Sequence, residues 1–189
     1  MVSLFFYNFN GMFKASFFCI ACLCCTMIVS CTQKPLIESH GVYSVVSNKN
    51  GESLSFASSS GVSILEVDGF GFKDLNKNNQ LDLYEDWRLS DAERAQDLAS
   101  KLSLEEIAGL MLYSSHQSIP ARPDGYFAGT YDGKPFENGV TNPAALSDQQ
   151  KKFLKEDHLR HVLVTTVSSP EVAAEWSNNV QAFCESIGF

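Results

Sequence analysis

The chain has 189 residues, of which 44% are hydrophobic and 19% charged, and its formal net charge is −8 at pH 7. This acidic balance argues against nucleic acid as a partner, because binding to a phosphate backbone rests on lysine and arginine. All of the cysteines except Cys184 lie at or before residue 31. The rest of the chain therefore has one cysteine and cannot form an internal disulfide, which excludes a disulfide-stabilised domain.

The first thirty residues have the layout of a secretory signal. Lys14 is their only charge, and an apolar run follows it from 15 to 29. Crossing a bilayer takes about 20 apolar residues, so the run is short for a membrane span, although a transmembrane anchor is the alternative. The run ends in Ile28-Val-Ser-Cys31, which looks like the processing site of bacterial lipoproteins. We expect a signal peptide over 1–30 and lipidation at Cys31, giving a periplasmic or outer-membrane lipoprotein held at the membrane by acyl chains.

Short runs of β-type composition come next. They cover 41–47, 52–57 and 63–67 and are separated by Asn-Lys-Asn-Gly and Ser-Ser-Ser-Gly, which are typical turn sequences. The region 31–69 is therefore predicted to be a tether followed by a small β hairpin or meander.

The next segment has the oxygen spacing of an EF-hand-type calcium loop of twelve residues. Its expected ligands are five side chains and, at the seventh place, one backbone carbonyl: Asp74, Asn76, Asn78, Gln80, Asp82 and Glu85. The sixth place holds Asn79 instead of glycine, and asparagine adopts the left-handed conformation more readily than most residues. A solvated turn without metal is the alternative, because Asn and Asp are common in turns. If Ca²⁺ binds, we expect its role to be structural.

Two capping boxes follow, at Ser90 to Glu93 and at Ser103 to Glu106, and they predict helices near 91–101 and 104–112. Together with the loop they form a region over 70–112. Two pairs of adjacent acids occur here, at 85–86 and 105–106. Adjacent carboxylates point apart and Glu106 has a capping role, so neither pair predicts a catalytic dyad.

Residues 113–146 show no periodicity, which predicts a long loop. Ser147 then caps a helix over about 148–157. The apolar run 161–167 predicts a strand buried on both faces of a parallel sheet, and Ser169-Pro170 begins a helix over 171–186. A strand followed by a helix is one βα unit, which indicates an α/β fold class.

Several short segments of the sequence are similar to the N-terminal part of bacterial glycoside hydrolase family 3 enzymes, the β-glucosidase group. They cover roughly 64–187 and comprise Val67-Asp-Gly, Phe72-Lys-Asp-Leu-Asn-Lys-Asn, Leu81-Asp-Leu-Tyr-Glu-Asp-Trp-Arg88, Leu104-Glu-Glu-Ile-Ala-Gly-Leu-Met111, Leu159-Arg-His-Val-Leu-Val-Thr-Thr166 and Ala174-Glu-Trp-Ser-Asn-Asn-Val-Gln-Ala182. The chain departs from the family pattern at Asn79 and at Leu110, where the family usually has glycine and glutamine.

This resemblance implies a retaining glycosidase acting on β-glucosides or oligosaccharides, built on a (β/α)8-type, TIM-like barrel and a second α/β domain. The catalytic acids of the family fall at positions that this chain does not contain, so no catalytic residue is assigned. A closed barrel needs about 250 residues. We therefore expect 147–189 to be the start of an incomplete barrel, and the fragment to be inactive alone. The alternative is a surface-tethered calcium-binding interaction module similar to a dockerin, although dockerins repeat the loop–helix unit and a single loop occurs here.

Overall fold

The computed structural model describes residues 34–125 and 128–188. The predicted signal peptide over 1–30 and the predicted lipidation site at Cys31 lie outside the described residues. The strands are β1 (Leu36–Ser39), β2 (Tyr43–Ser47), β3 (Ser53–Ala57), β4 (Ser63–Val67), β5 (Phe70–Asp74), β6 (Gln117–Ile119), β7 (Thr130–Tyr131), β8 (Lys134–Pro135) and β9 (Val164–Val167). The helices are α1 (Asp91–Lys101), α2 (Leu104–Leu110), α3 (Asp148–Lys155) and α4 (Pro170–Ile187), with a 3₁₀ turn at Leu83–Glu85.

The N-terminal strands form two antiparallel sheets. Strands β1, β2 and β3 pair in that order, and β4 pairs with β5 in a separate hairpin. The three predicted strands are confirmed as β2, β3 and β4. Strands β1 and β5 were not predicted, and β5 carries an internal glycine and a lysine that weaken a strand pattern.

A buried asparagine and an aromatic pair hold these strands together. The Asn48 side-chain oxygen accepts from the Gly71 N–H at 2.7 Å, and its amide nitrogen donates to the Gly71 carbonyl at 3.2 Å and the Glu52 carbonyl at 2.8 Å. Phe72 is fully buried, and the Trp87 ring stacks on it with centroids 5.4 Å apart. The β2–β3 loop and the β4–β5 hairpin are thus fixed to each other by Asn48, and the chain after the 3₁₀ turn packs on the hairpin through Trp87.

Helices α1 and α2 begin at the predicted caps. The Oγ atoms of Ser90 and Ser103 accept from the backbone N–H groups of Glu93 and Glu106, whose carboxylates accept from the serine N–H groups in return. Helix α2 ends at Leu110, two residues before the predicted end.

The α/β part contains two neighbouring parallel strands. Strand β6 pairs with β9 in parallel, and α3 lies between them in sequence while α4 follows β9. The prediction of a long loop over 113–146 is therefore wrong in part, because β6 and the β7–β8 hairpin lie inside it. Three residues are too short a run for periodicity to show.

The strand predicted over 161–167 exists as β9, but the prediction that both of its faces are buried is wrong. All four residues of β9 are exposed, because among the described residues it pairs only with β6. The core of this part lies on the helix side of the sheet and consists of Ile119, Ala144, Leu146, Leu154 and Trp176. Cys184 is half-buried against this core.

Helix α4 also contacts the N-terminal strands. The Lys73 ammonium lies 2.6 Å from the Glu185 carboxylate, and both side chains are largely buried. The second oxygen of Glu185 accepts from the Ala57 N–H at 3.4 Å. The described residues thus combine helices with small sheets and contain no closed barrel, so the barrel start stays a prediction. None of the described helices is long and apolar enough to cross a bilayer.

Candidate metal centre and the surrounding sites

The predicted calcium loop begins at the end of β5, where Asp74 is 1% exposed. One of its carboxylate oxygens accepts from the Asn78 N–H at 3.0 Å. The other accepts from the Asn79 N–H at 3.0 Å and from the Ser63 hydroxyl at 3.1 Å. The carboxylate therefore organises the first half of the loop around itself.

The two asparagines of the loop close successive turns. The side-chain oxygen of Asn76 accepts from the Asn78 N–H at 3.1 Å, and that of Asn78 accepts from the Gln80 N–H at 2.7 Å. Their amide nitrogens both donate to the same oxygen of Asp82, at 2.7 and 2.9 Å. Asn79 has φ 59°, the left-handed conformation expected at the sixth place of the loop.

Glu85 lies at the far end of the loop and faces back into it. Its Oε1 accepts from the N–H groups of Leu75 at 2.7 Å and Asn76 at 3.4 Å, and its Oε2 accepts from the Asp82 N–H at 3.1 Å. Burial raises the pKa of the neighbouring Tyr84 far above its usual range, and the negative charge of Glu85 raises it further. The phenol therefore stays neutral and cannot add a further negative charge to this region.

The charge balance of the loop favours a cation. Asp74 and Glu85 are both buried, and within residues 34–125 and 128–188 neither forms an ion pair with a lysine or arginine. Asp82 does have such a partner, because the Lys101 ammonium lies 3.3 Å from it. A buried carboxylate without a counter-ion is costly even when backbone N–H groups bind it.

The side-chain arrangement is less favourable to a metal. In the described part of the chain no three Asp, Glu, His or Cys side chains come together as a metal-binding group. Asn76 and Asn78 direct N–H groups at Asp82, where a calcium shell requires oxygens. The residues fit Ca²⁺ in backbone conformation and in charge, and these two amides must turn for it to bind.

Three of the four acids in the two adjacent pairs have separate hydrogen-bond partners. Glu85 faces the loop, whereas Asp86 binds the Arg88 guanidinium at 2.6 Å, and this hydrogen bond lowers the pKa of Asp86. Glu106 accepts from the Ser103 N–H at 2.7 Å, which lowers its pKa as well.

The structure also contains a cleft that the sequence did not predict. It lies between strands β2 and β3 and helix α4 and has a volume of about 430 Å³. Its aromatic and amide lining comes from segments more than a hundred residues apart, including Tyr43, Phe56, Asn178 and Gln181. Sequence spacing carries no signal for a site assembled over such a distance.

Comparison with known proteins supports the resemblance seen in the sequence. No family model matches the chain. Over 129 residues, which are 67% of the chain, it is 48% identical to a periplasmic beta-glucosidase/beta-xylosidase of Dickeya chrysanthemi. The matched part makes up 17% of that protein, so the chain spans about a sixth of the length of its curated relative. The chain therefore belongs to the bacterial β-glucosidase group of glycoside hydrolase family 3.

Proposed function

We propose that these residues are the N-terminal portion of an exported β-glucosidase-type glycosidase, which hydrolyses O-glycosidic bonds with retention of configuration. The observation that carries this proposal is the identity of 48% with the Dickeya enzyme. The periplasmic location in that protein's name supports export, and export agrees with the signal peptide and the lipid-bearing Cys31 expected from the sequence.

The contribution of this chain would be to scaffold the active site. Strands β6 and β9 are parallel and adjacent, so their carboxyl ends, Ile119 and Val167, lie at the same edge. In (β/α)8 barrels the active site is built on the loops that follow this edge. A retaining glycosidase needs two carboxyl groups about 5 Å apart, and by family resemblance both come from elsewhere in the enzyme.

A chimera tests this assignment. The matched segment of the Dickeya enzyme is replaced by the corresponding residues of this chain, and release of p-nitrophenol from aryl β-glucosides and β-xylosides is measured. We expect an active chimera, while residues 31–189 alone release none. A folded chimera without activity, alongside an active parent, contradicts the proposal and favours the calcium-binding interaction module.

We also propose that the loop from Asp74 to Glu85 binds Ca²⁺ in a structural role. A bound Ca²⁺ would neutralise the two buried carboxylates, which have no cationic partner among the described residues. In this role Asp74 and Glu85 hold both ends of the loop, and Leu81 within it is half-buried.

Thermal unfolding with and without Ca²⁺ tests the loop. We expect Ca²⁺ to raise the unfolding temperature of the wild-type chain and to leave the unfolding temperature of the Glu85→Gln variant unchanged. Glu105→Gln, which removes an exposed carboxylate on α2, is the matched control and should respond like the wild type. If Ca²⁺ changes the unfolding temperature of the wild type and of both variants equally, the loop is a turn that does not bind the ion.

A further inference from the structure

We propose that the cleft between β2, β3 and α4 is a non-catalytic binding site for a neutral pyranose sugar. The cleft holds about 430 Å³, which lies within the range of small-ligand pockets. It is built from residues of this chain alone, and the proposal does not rest on the glycosidase activity.

The apolar part of the lining is aromatic. Tyr43 is 45% exposed, and the His40 ring stacks against it with centroids 5.1 Å apart, which limits the movement of the Tyr43 ring. Phe56, on the neighbouring strand, also lines the cleft. The C–H groups of a pyranose ring carry partial positive charge, so they pack favourably on the electron-rich face of an aromatic ring.

The polar part of the lining consists of amides and hydroxyls. Asn178 and Gln181 stand on one face of α4 as an i, i+3 pair, and Ser55 and Ser59 lie opposite them on the strand side. Amides and hydroxyls both donate and accept hydrogen bonds, which matches the hydroxyl groups of a sugar. Asn179 also lines the cleft, and its amide donates to the Ala144 carbonyl at 2.9 Å, which fixes its side chain.

The charge in the cleft excludes other ligand classes. Its one carboxylate, Glu185, is neutralised by Lys73 at 2.6 Å and also accepts from the Ala57 N–H and the Gln181 amide, each at 3.4 Å. No lysine or arginine is among the residues that line the described cleft, so a phosphate or carboxylate ligand finds no partner there. A neutral polyhydroxylated ring is the chemistry that the lining fits.

Saturation-transfer NMR on the purified chain tests this inference, with cellobiose and xylobiose as probes. We expect saturable binding of at least one disaccharide. Tyr43→Ala and Gln181→Ala should each weaken it by about fivefold or more, the effect of losing one contact of about 1 kcal/mol. Tyr43→Phe keeps the ring and should retain binding.

Two controls locate and define the site. Tyr113→Ala removes an exposed tyrosine outside the cleft and should not change binding. Sorbitol offers the hydroxyls without a rigid ring and should not saturate. Failure of both disaccharides to bind, equal binding of sorbitol, or binding insensitive to Tyr43→Ala and Gln181→Ala in folded variants would overturn the inference. The chimera assay is independent of every one of these outcomes.

Discussion

At the scale of single residues, buried polar side chains fix the relative positions of separate segments. Asn48 uses both its oxygen and its amide nitrogen on the backbone of Gly71, although Asn48 lies in the β2–β3 loop and Gly71 lies on β5. Asp86 binds Arg88 in a similarly specific way, with the guanidinium 4.8 Å over the Phe72 ring. In both cases the buried polar group has a hydrogen-bond partner. Removing one partner leaves the other buried and unsatisfied, which lowers the free energy of unfolding.

Replacing Asn48 by alanine should therefore destabilise the chain strongly. The variant leaves the buried N–H of Gly71 without its acceptor and the Glu52 carbonyl without its donor, while the Gly71 carbonyl keeps the Trp87 Nε1–H at 3.1 Å. We expect a loss of about 2–3 kcal/mol in the free energy of unfolding. Urea unfolding followed by circular dichroism measures it. Asn138→Ala, at an exposed position, is the matched control and should change stability by less than about 0.5 kcal/mol.

The Asp86–Arg88 pair should contribute to the acid sensitivity of the chain. The hydrogen bond from Arg88 lowers the pKa of Asp86 in the folded state. The stabilisation is therefore complete above the unfolded pKa of about 4 and is lost as the pH falls through the lower folded pKa. Asp86→Asn should show a smaller decrease in urea midpoint between pH 6 and pH 3 than the wild type. Identical decreases in the two proteins would show that the pair has no such role.

At the scale of elements, Gln150 joins the parts of the βαβα unit. It is 1% exposed on α3, where its Oε1 accepts from the Ser147 N–H at 3.1 Å and from the Trp176 Nε1–H of α4 at 3.1 Å. Its amide nitrogen donates to Gln117 of β6 at 3.3 Å. One side chain thus caps its own helix and positions a second helix and a strand.

Gln150→Ala should cost about 2–4 kcal/mol in unfolding free energy, because it creates a cavity and leaves the Trp176 N–H without its acceptor. Gln149→Ala is the matched control, since Gln149 is exposed and its side chain binds Thr130 of the β7–β8 hairpin. We expect that variant to lose less than about 1 kcal/mol. Chemical denaturation of both variants side by side measures the difference, and equal losses would contradict the role of Gln150.

The helices, strands and loops also show how much of the fold could be predicted from the sequence. The caps at Ser90, Ser103 and Ser147 are local, so a four-residue pattern predicted them and the structure confirms all three. The course of the loop from Asp74 to Glu85 is also local, because its side chains bind backbone groups close by in the sequence. The pairing of β6 and the exposure of β9 depend on which segments distant in sequence lie beside them. The cleft likewise depends on the packing of α4 against β2 and β3. No local pattern contains that information.

At the scale of the whole molecule, the segment from Leu104 to Tyr113 carries unusually exposed apolar side chains. Leu104 is 77% exposed, Met111 80%, Leu112 58% and Tyr113 71%, and the first two share a helical face. Exposed apolar clusters of this kind mark surfaces that interact with another protein or domain. If the chain is part of the glycosidase proposed above, we expect the remainder of the enzyme to cover these side chains.

The purified chain should accordingly bind a dye that reports exposed apolar surface. We expect 8-anilinonaphthalene-1-sulfonate fluorescence to fall when Met111 and Leu112 are both replaced by lysine, because the charges break the apolar cluster. Val140→Lys changes a single exposed apolar residue elsewhere and is the matched control. Unchanged fluorescence in the double variant would show that the dye binds at another place.

The contact of Glu185 with Lys73 has a consequence for synthesis. Chain growth on the ribosome releases β2, β3 and β5 long before α4, yet Lys73 and the Ala57 amide receive their carboxylate partner from the last turns of that helix. Contacts with such wide separation along the chain are late events, since the intervening loop must close first. Lys73 and the Ala57 N–H therefore lack this partner until about a hundred further residues have been translated. During that interval the incompletely packed strands are of the kind that chaperones bind.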